Sequence, residues 1–376
     1  MNHKNRRLLL VGGEDVSLRI PAVRVLSETG YDVAVIGSEA EQVFINAAVQ
    51  YFFYELDRGF TPILDIKTTY QLYVIFKNEK PDVVHTFDTK PNVLACIAAR
   101  LAGVPKIIRT INGMGDIFSS KSFRHKCLMY LYNIAQYFSS GISSFTIFQN
   151  KDDMEYFASR NLVSRPKAKY VAGSGICVED FEGSAIKKVD LNKLKVDLNL
   201  GNRCTILLIS RLIKAKGIIE YLEAAQELKR GSRALNFLLV GGIEPGVDGV
   251  EESKILEYSD VCCYLGHRSD VSSLMAISDI VVLPSYYKEG VPRTLIEGAS
   301  MSKPLISTNV SGCRDIVIDQ HNGLLVPIKN SDKLAQAILY LVNNPKIRLD
   351  MGQNGRQLVV EKFSLTKVCE GWAALY

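Results

Sequence analysis

The residue types best suited to chemistry fall in two short segments of the second half of the chain. One runs Tyr286-Tyr287-Lys288-Glu289-Gly290-Val291-Pro292-Arg293-Thr294-Leu295-Ile296-Glu297. It follows a strand-like run, Ile280 to Leu283, and leads into a helix expected to begin near Pro292. Glu289 then sits on the loop before the helix and Glu297 lies inside it. A loop carboxylate accepts hydrogen bonds from sugar hydroxyls, and a helical one holds a ribose diol. The backbone N–H groups from Gly290 to Thr294, at a helix start, suit a diphosphate. The other segment is Ile209-Ser210-Arg211-Leu212-Ile213-Lys214-Ala215-Lys216-Gly217. Arg211 offers a planar fork of donors and Lys216 a compact charge, matched to oxygens on adjacent phosphates. A leaving nucleoside diphosphate gains negative charge as its bond to the sugar breaks. Positioned cations stabilise that charge without a metal ion, so neither metal nor other cofactor is expected.

The first half offers fewer such residues. His85 ends the strand-like run Asp82 to His85. It reads either as a contact to a donor sugar or acceptor hydroxyl, or as a histidine satisfied within the fold. Asp88 is a conceivable base. Gly12-Gly13 follows the first strand but is not a G-x-G-x-x-G fingerprint, which disfavours a nicotinamide-dependent dehydrogenase. Between Arg100 and Tyr132 lie Arg100, Lys106, Arg109, Lys121, Arg124 and Lys126 against the single acid Asp116, interleaved with aromatics such as Phe118, Phe123, Tyr130 and Tyr132. That run suits an anionic membrane surface and a lipid diphosphate, or else a solvated helix face over a buried apolar stripe.

These residues need a scaffold of strands that deliver loops to one edge. Apolar β-rich runs at Arg7 to Val11, Asp32 to Ile36, Tyr51 to Glu55, Asp82 to Phe87, Lys106 to Ile111 and Ser144 to Phe148 alternate with helical patterns. Several are apolar on both faces, as in a parallel sheet covered by helices on each side. The alternation weakens over Gly173 to Asn202 and restarts at Cys204 to Ser210, Phe237 to Val240, Val261 to Leu265, Ile280 to Leu283, Leu305 to Ser307 and Gly323 to Val326. The expected fold class is therefore α/β, two Rossmann-like doubly wound domains facing across a cleft. The expected division is 1–175, a linker 176–202, a second domain 203–360 and a C-terminal helix 361–376. Such an architecture also suits a ligand-closing binding protein.

Composition narrows the class. At 376 residues the chain fits two domains, and its 47% hydrophobic, 23% charged content is that of a globular protein. A net charge of +5, dispersed, argues against a nucleic-acid binder. The eight cysteines form no C-x-x-C pair and read as buried thiols of a reducing cytosol. The start, Met1 to Val11, lacks a signal-peptide cleavage pattern. The uncharged stretch Cys127 to Asn150 is broken by Ser, Gly, Asn and Gln and reads as helix, turn and strand, not a membrane span.

At this point the chain resembles a known family. Ser210-Arg211-Leu212 with Lys216-Gly217, Gly266-His267-Arg268 with Asp270-Val271, Leu283-Pro284-Ser285 and Glu289 through Glu297 are similar to the retaining glycosyltransferases of the two-Rossmann (GT-B) fold, family 4. Ser311-Gly312-Cys313-Arg314-Asp315, Asn322 through Val326, Pro81 through His85 and Lys90-Pro91-Asn92 extend the likeness over nearly the whole chain. It resembles the subset that builds polyprenyl-diphosphate-linked surface glycans such as capsule and lipopolysaccharide. The resemblance implies that Arg211 and Lys216 bind the donor diphosphate, Glu297 the ribose and Glu289 the transferred sugar. Gly266, His267 and Arg268 would lie near the base. Gly290, Val291, Pro292, Arg293 and Thr294 would complete the donor site, and Gly12 and Gly13 would let the backbone approach acceptor and donor phosphate. His85 joins Arg211, Lys216 and Glu289 as a catalytic candidate. Lys90, Asn112, Lys121, Arg124 and Lys126 are candidates for the acceptor and membrane side. Ser302 and Gly298 depart from the family's usual glycine and alanine. The implied reaction moves a hexose or N-acetylhexosamine from a UDP-sugar to a polyprenyl-diphosphate-linked saccharide, by a peripheral protein on the inner face of the cytoplasmic membrane. A sugar-nucleotide epimerase of the same fold and a non-catalytic nucleotide-sugar-binding protein are the alternatives.

Overall fold

The computed structural model describes residues 5–57, 59, 61–115, 123–181, 190–231, 234–244, 246 and 248–376, the side chains of 123–127 excepted. The chain divides into two compact units: Met1–Gly175 with Leu365–Tyr376, and Ile176–Ser364.

Among the described residues, the first unit is built on seven strands: β1 (Arg6–Val11), β2 (Tyr31–Gly37), β3 (Tyr51–Phe53), β4 (Val83–Thr86), β5 (Lys106–Ile111), β6 (Phe145–Phe148) and β7 (Ala168–Tyr170). They lie in the order β3-β2-β1-β4-β5-β6-β7, all parallel. Leu8, Leu9, Leu10 and Val11 have no exposed surface, because helices cover both faces of the sheet. The helix Pro91–Ala102 starts on a proline and ends at Gly103 in the left-handed region, φ 82°.

The second unit has six parallel strands among its described residues: β8 (Cys204–Ile209), β9 (Leu235–Val240), β10 (Cys263–Tyr264), β11 (Ile280–Leu283), β12 (Leu305–Thr308) and β13 (Gly323–Val326). Their order is β10-β9-β8-β11-β12-β13. The helix Ile218–Arg230 lays Ile218, Tyr221, Leu222, Ala225 and Leu228 on the sheet. The buried Tyr221 hydroxyl is satisfied at the carbonyls of Ile206 (3.0 Å) and Leu238 (3.1 Å). In each sheet the strand order reverses once, between β1 and β4 and between β8 and β11. Loops at the carboxyl ends of those strands are where doubly wound sheets hold ligands.

Two stretches sit otherwise than the sequence reading places them. Residues 176–202 fall in the second unit, where Leu191, Leu194 and Leu200 pack against Leu207 and Leu238. Leu365–Tyr376 fall in the first, with Trp372 and Tyr376 buried against His85. The stretch 127–150 forms most of the helix Phe123–Ile142 and then β6. No helix among the described residues is long and apolar enough to cross a membrane.

Candidate active site

In the second unit, the loops after β8 and β11 meet at one ion pair. Lys216 Nζ lies 2.7 Å from Glu289 Oε1, and the two side chains are only 10% and 13% exposed. The Ser285 hydroxyl donates to the same oxygen at 2.9 Å and accepts the Tyr287 N–H at 3.2 Å. The Tyr286 N–H bonds the Ala215 carbonyl at 2.8 Å, so the two loops are also joined through backbone. Tyr287 is flanked by both cations, with Lys216 Nζ 5.3 Å and Arg211 Cζ 6.0 Å from its ring centre. Arg211 is 51% exposed and reaches Glu244 at 3.8 Å, a pair too wet to hold it firmly.

The helix Arg293–Ser300 begins after Pro292 as its N-cap. On its first turn, Arg293 Nε donates to Glu297 Oε1 at 2.7 Å. Burial pushes the Glu297 carboxyl above its ordinary range, and the Arg293 charge opposes that shift. A carboxylate pressed out of water gains most from a ligand hydroxyl that donates to it. Behind the loop, Gly312 takes φ 81°, and a Cβ there would sit 2.0 Å from the Gly290 carbonyl oxygen. Only glycine lets this backbone support the Glu289–Gly290 loop so closely. Cys313 beside it is buried, which pushes its thiol up to about 12.

Gly266 and Gly241 join the neighbouring loops through an N–H to carbonyl bond of 2.9 Å, and His267 is exposed. Arg268 forks onto Asp270 in its own loop (2.7 and 2.6 Å), which holds the Asp270 carboxyl below its ordinary range. The second unit thus brings together Arg211, Lys216 and the segment Glu289 to Glu297 at the switch point of its sheet. Ser285, Tyr287 and Gly312 belong to the same constellation. The sequence reading gave them no role, although Pro284-Ser285 at a strand end and the tyrosine before Lys288 were signals within reach.

In the first unit, the carboxyl ends of β1, β4, β5 and β6 are tied by one chain of hydrogen bonds. Gly13 N–H donates to Asp88 Oδ2 at 3.0 Å, Asn112 Nδ2 to Asp88 Oδ1 at 2.9 Å, and Gln149 Nε2 to Asn112 Oδ1 at 2.9 Å. Asp88 holds φ 67°, a strained conformation for a residue with a side chain. At Gly12 a Cβ would stand 2.9 Å from Val16 Cγ2, so internal packing alone demands that glycine.

Three expectations for this unit need correction. His85 is fully buried on β4, its ring nitrogens bonded to the Tyr376 hydroxyl and Thr110 Oγ1, each at 2.7 Å. Burial pushes its pKa well below the ordinary value, and it is a neutral structural residue, not a catalytic one. Arg109 lies inside, with no exposed surface, donating to Thr146 (2.9 Å) and Gln136 (2.6 Å), so it adds nothing to a basic surface. Tyr132 is buried as well. Lys90 is held by Asp65 Oδ1 (2.6 Å) and the Asp57 carbonyl (2.7 Å). Lys121 lies outside the described residues, as do the side chains of Arg124 and Lys126.

Both halves of the chain are similar to known proteins. Residues 192–358 match the glycosyl transferases group 1 family model and residues 7–150 the glycosyl transferase 4-like model. The N,N'-diacetylbacillosaminyl-diphospho-undecaprenol alpha-1,3-N-acetylgalactosaminyltransferase of Campylobacter jejuni is 27% identical, over 92% of this chain and 91% of its own. The UDP-Gal:alpha-D-GlcNAc-diphosphoundecaprenol alpha-1,3-galactosyltransferase of Escherichia coli is 28% identical, over 98% and 94%. Among solved structures, a glycosyltransferase from Rickettsia africae superposes with a TM-score of 0.81 at 21% identity, over 99% of this chain and 98% of that one. Anabaena Alr3699/HepE in complex with UDP and glucose superposes at 0.78 and 16% identity, over 98% and 99%. With both halves matched and the fold shared from end to end, the chain belongs to the glycosyltransferases of the two-Rossmann (GT-B) fold, family 4.

Proposed function

We propose that the enzyme transfers a hexose or N-acetylhexosamine from a UDP-sugar to a saccharide carried on polyprenyl diphosphate, with retention of anomeric configuration. The observation that carries this reading is the largely buried Lys216–Glu289 pair beside Arg211 and the Glu297-bearing helix. Lys216 and Arg211 stabilise the diphosphate as it leaves, in place of a metal ion. Glu297 accepts the ribose hydroxyls and Glu289 those of the transferred sugar. Gly266, His267 and Arg268 border the base. Gly13, Asp88 and Asn112 face the acceptor. The acceptor class is supported by the relatives from Campylobacter jejuni and Escherichia coli, whose names specify diphospho-undecaprenol substrates, and the donor class by the UDP complex of the Anabaena protein.

The work takes place at the inner face of the cytoplasmic membrane, with Lys121, Arg124 and Lys126 meeting anionic lipid. Incubation with labelled UDP-sugars and a synthetic polyprenyl-diphosphate saccharide tests the reading. Label should pass into the organic phase with one donor, and the new linkage should carry the donor's anomeric configuration by NMR. Conversion of the sugar nucleotide with no acceptor present would make the protein an epimerase instead. Sedimentation with anionic liposomes, lost on reversing the three charges, tests the membrane contact separately.

A further inference from the structure

Between the helices Pro62–Glu79 and Pro91–Ala102 of the first unit lies a groove of about 640 Å³. Ile66, Tyr70 and Tyr73 line it from one helix, and Leu94, Ile97 and Leu101 from the other. Much of this lining meets solvent: Ile66 is 72% exposed, Tyr70 65% and Leu101 64%. The first helix buries Leu72 and Phe76 in the core and also carries Ile63, Ile66 and Tyr70 on its outside, unlike an ordinary surface helix, whose apolar residues face inward alone. Contiguous apolar surface of this kind marks a binding site, and the volume is that of a ligand pocket, about 300–1,000 Å³.

The groove has a polar end and a direction. Both helices follow strands of the parallel sheet, so both begin at the carboxyl edge, where Gly13, Asp88 and Asn112 are hydrogen-bonded together. Asp65 lines the groove at that end and binds Lys90, which directly precedes the second helix. From Asp65 to Tyr73 the helix advances about 12 Å away from that edge. The groove is thus charged beside the strand ends and hydrocarbon-lined beyond them. That polarity fits one hydrocarbon chain whose polar head lies at the strand ends, and a concavity between two helices fits a single chain better than a flat bilayer.

We propose that this groove holds the first isoprene units of the acceptor's polyprenyl chain; the proposal rests on the lipid-linked acceptor reading given above. Thr69→Trp fills the groove and Ile97→Glu charges it, both away from the donor residues. Each variant is assayed against the same diphosphate saccharide carried on a long polyprenyl chain and on a short water-soluble alkyl chain. The KM for the polyprenyl acceptor should rise about tenfold or more, since burial of even two methylene groups is worth that much. The short-chain acceptor, the donor KM and the melting temperature should not change. A photoreactive group on the first isoprene unit should label peptides of these two helices.

Equal loss on both acceptors, or loss on neither, overturns the assignment. So does a variant that alters the oligomeric state by light scattering, which would make the groove an interface between copies. Failure of the parent to use either diphosphate acceptor would be a different result. It would overturn the reading of the acceptor itself, and the groove with it.

Discussion

Lys216 Nζ and Glu289 Oε1, 2.7 Å apart, join the loop after β8 to the loop after β11 across the switch point of the second sheet. The pair is largely shielded from water, so neither partner is easily dispensed with. It also sets a cation and a carboxylate side by side where a leaving diphosphate and a departing sugar would meet.

Lys216→Met keeps the packing of the stem and removes the charge. Ser285 still donates to Glu289, which limits the damage to stability to about 2 kcal/mol in denaturant unfolding. If that charge acts on the leaving group as proposed, turnover should fall at least about a hundredfold. A variant as unstable as expected but with the parent's kcat would make the pair purely structural.

Glu297 gives a prediction with a sign. Burial raises its carboxyl above the ordinary range, so the folded state holds the proton more tightly than the unfolded chain. Its contribution to stability is fully present below the unfolded value and is lost as pH rises through the raised folded value. Glu297→Gln removes that loss. The melting temperature of the variant relative to the parent should therefore be higher at about pH 7 than at about pH 4. The same change should weaken UDP binding about tenfold by calorimetry, since a charged acceptor is lost. A parent that gains on the variant as pH rises would count against the assignment.

Two neighbouring positions test the backbone beneath that helix. Ser302 stands at φ 55°, so Ser302→Gly should relieve left-handed strain and stabilise the protein by about 1 kcal/mol in thermal unfolding. A Cβ at Gly298 would lie 3.1 Å from Val281 Cγ2, a crowding that offsets the helix propensity alanine adds, so Gly298→Ala should not stabilise the protein. Opposite signs in the two scans would mean that this backbone is not held as described.

In the first unit, Asp88→Gly suits the φ of 67° while removing the carboxylate that receives Gly13 and Asn112. Relief of strain offsets the two lost hydrogen bonds, so melting should change little. If this cluster faces the acceptor, transfer should fall about tenfold or more, the usual scale of a lost charge-assisted contact. UDP affinity should stay that of the parent; a weaker UDP complex would move Asp88 to the donor side.

The sequence made the sheets legible wherever strands are buried on both faces, as in Leu8 to Val11 and Ile280 to Leu283. β7, Ala168–Tyr170, escaped because three residues on a sheet edge, one of them lysine, carry no apolar run. Arg211, Lys216 and Glu289 could be placed near one another from the sequence because each lies on a loop that follows a strand of the second sheet, with Glu297 on the helix after the second of those loops. His85 was misplaced for a tertiary reason. Its environment is made by Trp372 and Tyr376, far along the chain, and no local pattern announces that Leu365–Tyr376 returns to the first unit. Arg268, expected near the base, forks onto Asp270, a pairing that the acid two residues away in the sequence already offers.

The most direct test of the account is UDP release from a panel of UDP-sugars, with and without membrane extract carrying lipid-linked acceptors, alongside Lys216→Ala and Glu297→Ala. The account predicts release with one sugar, dependent on the extract and lost in both variants. Binding of UDP with no release under any condition, or release that both variants retain, would contradict it.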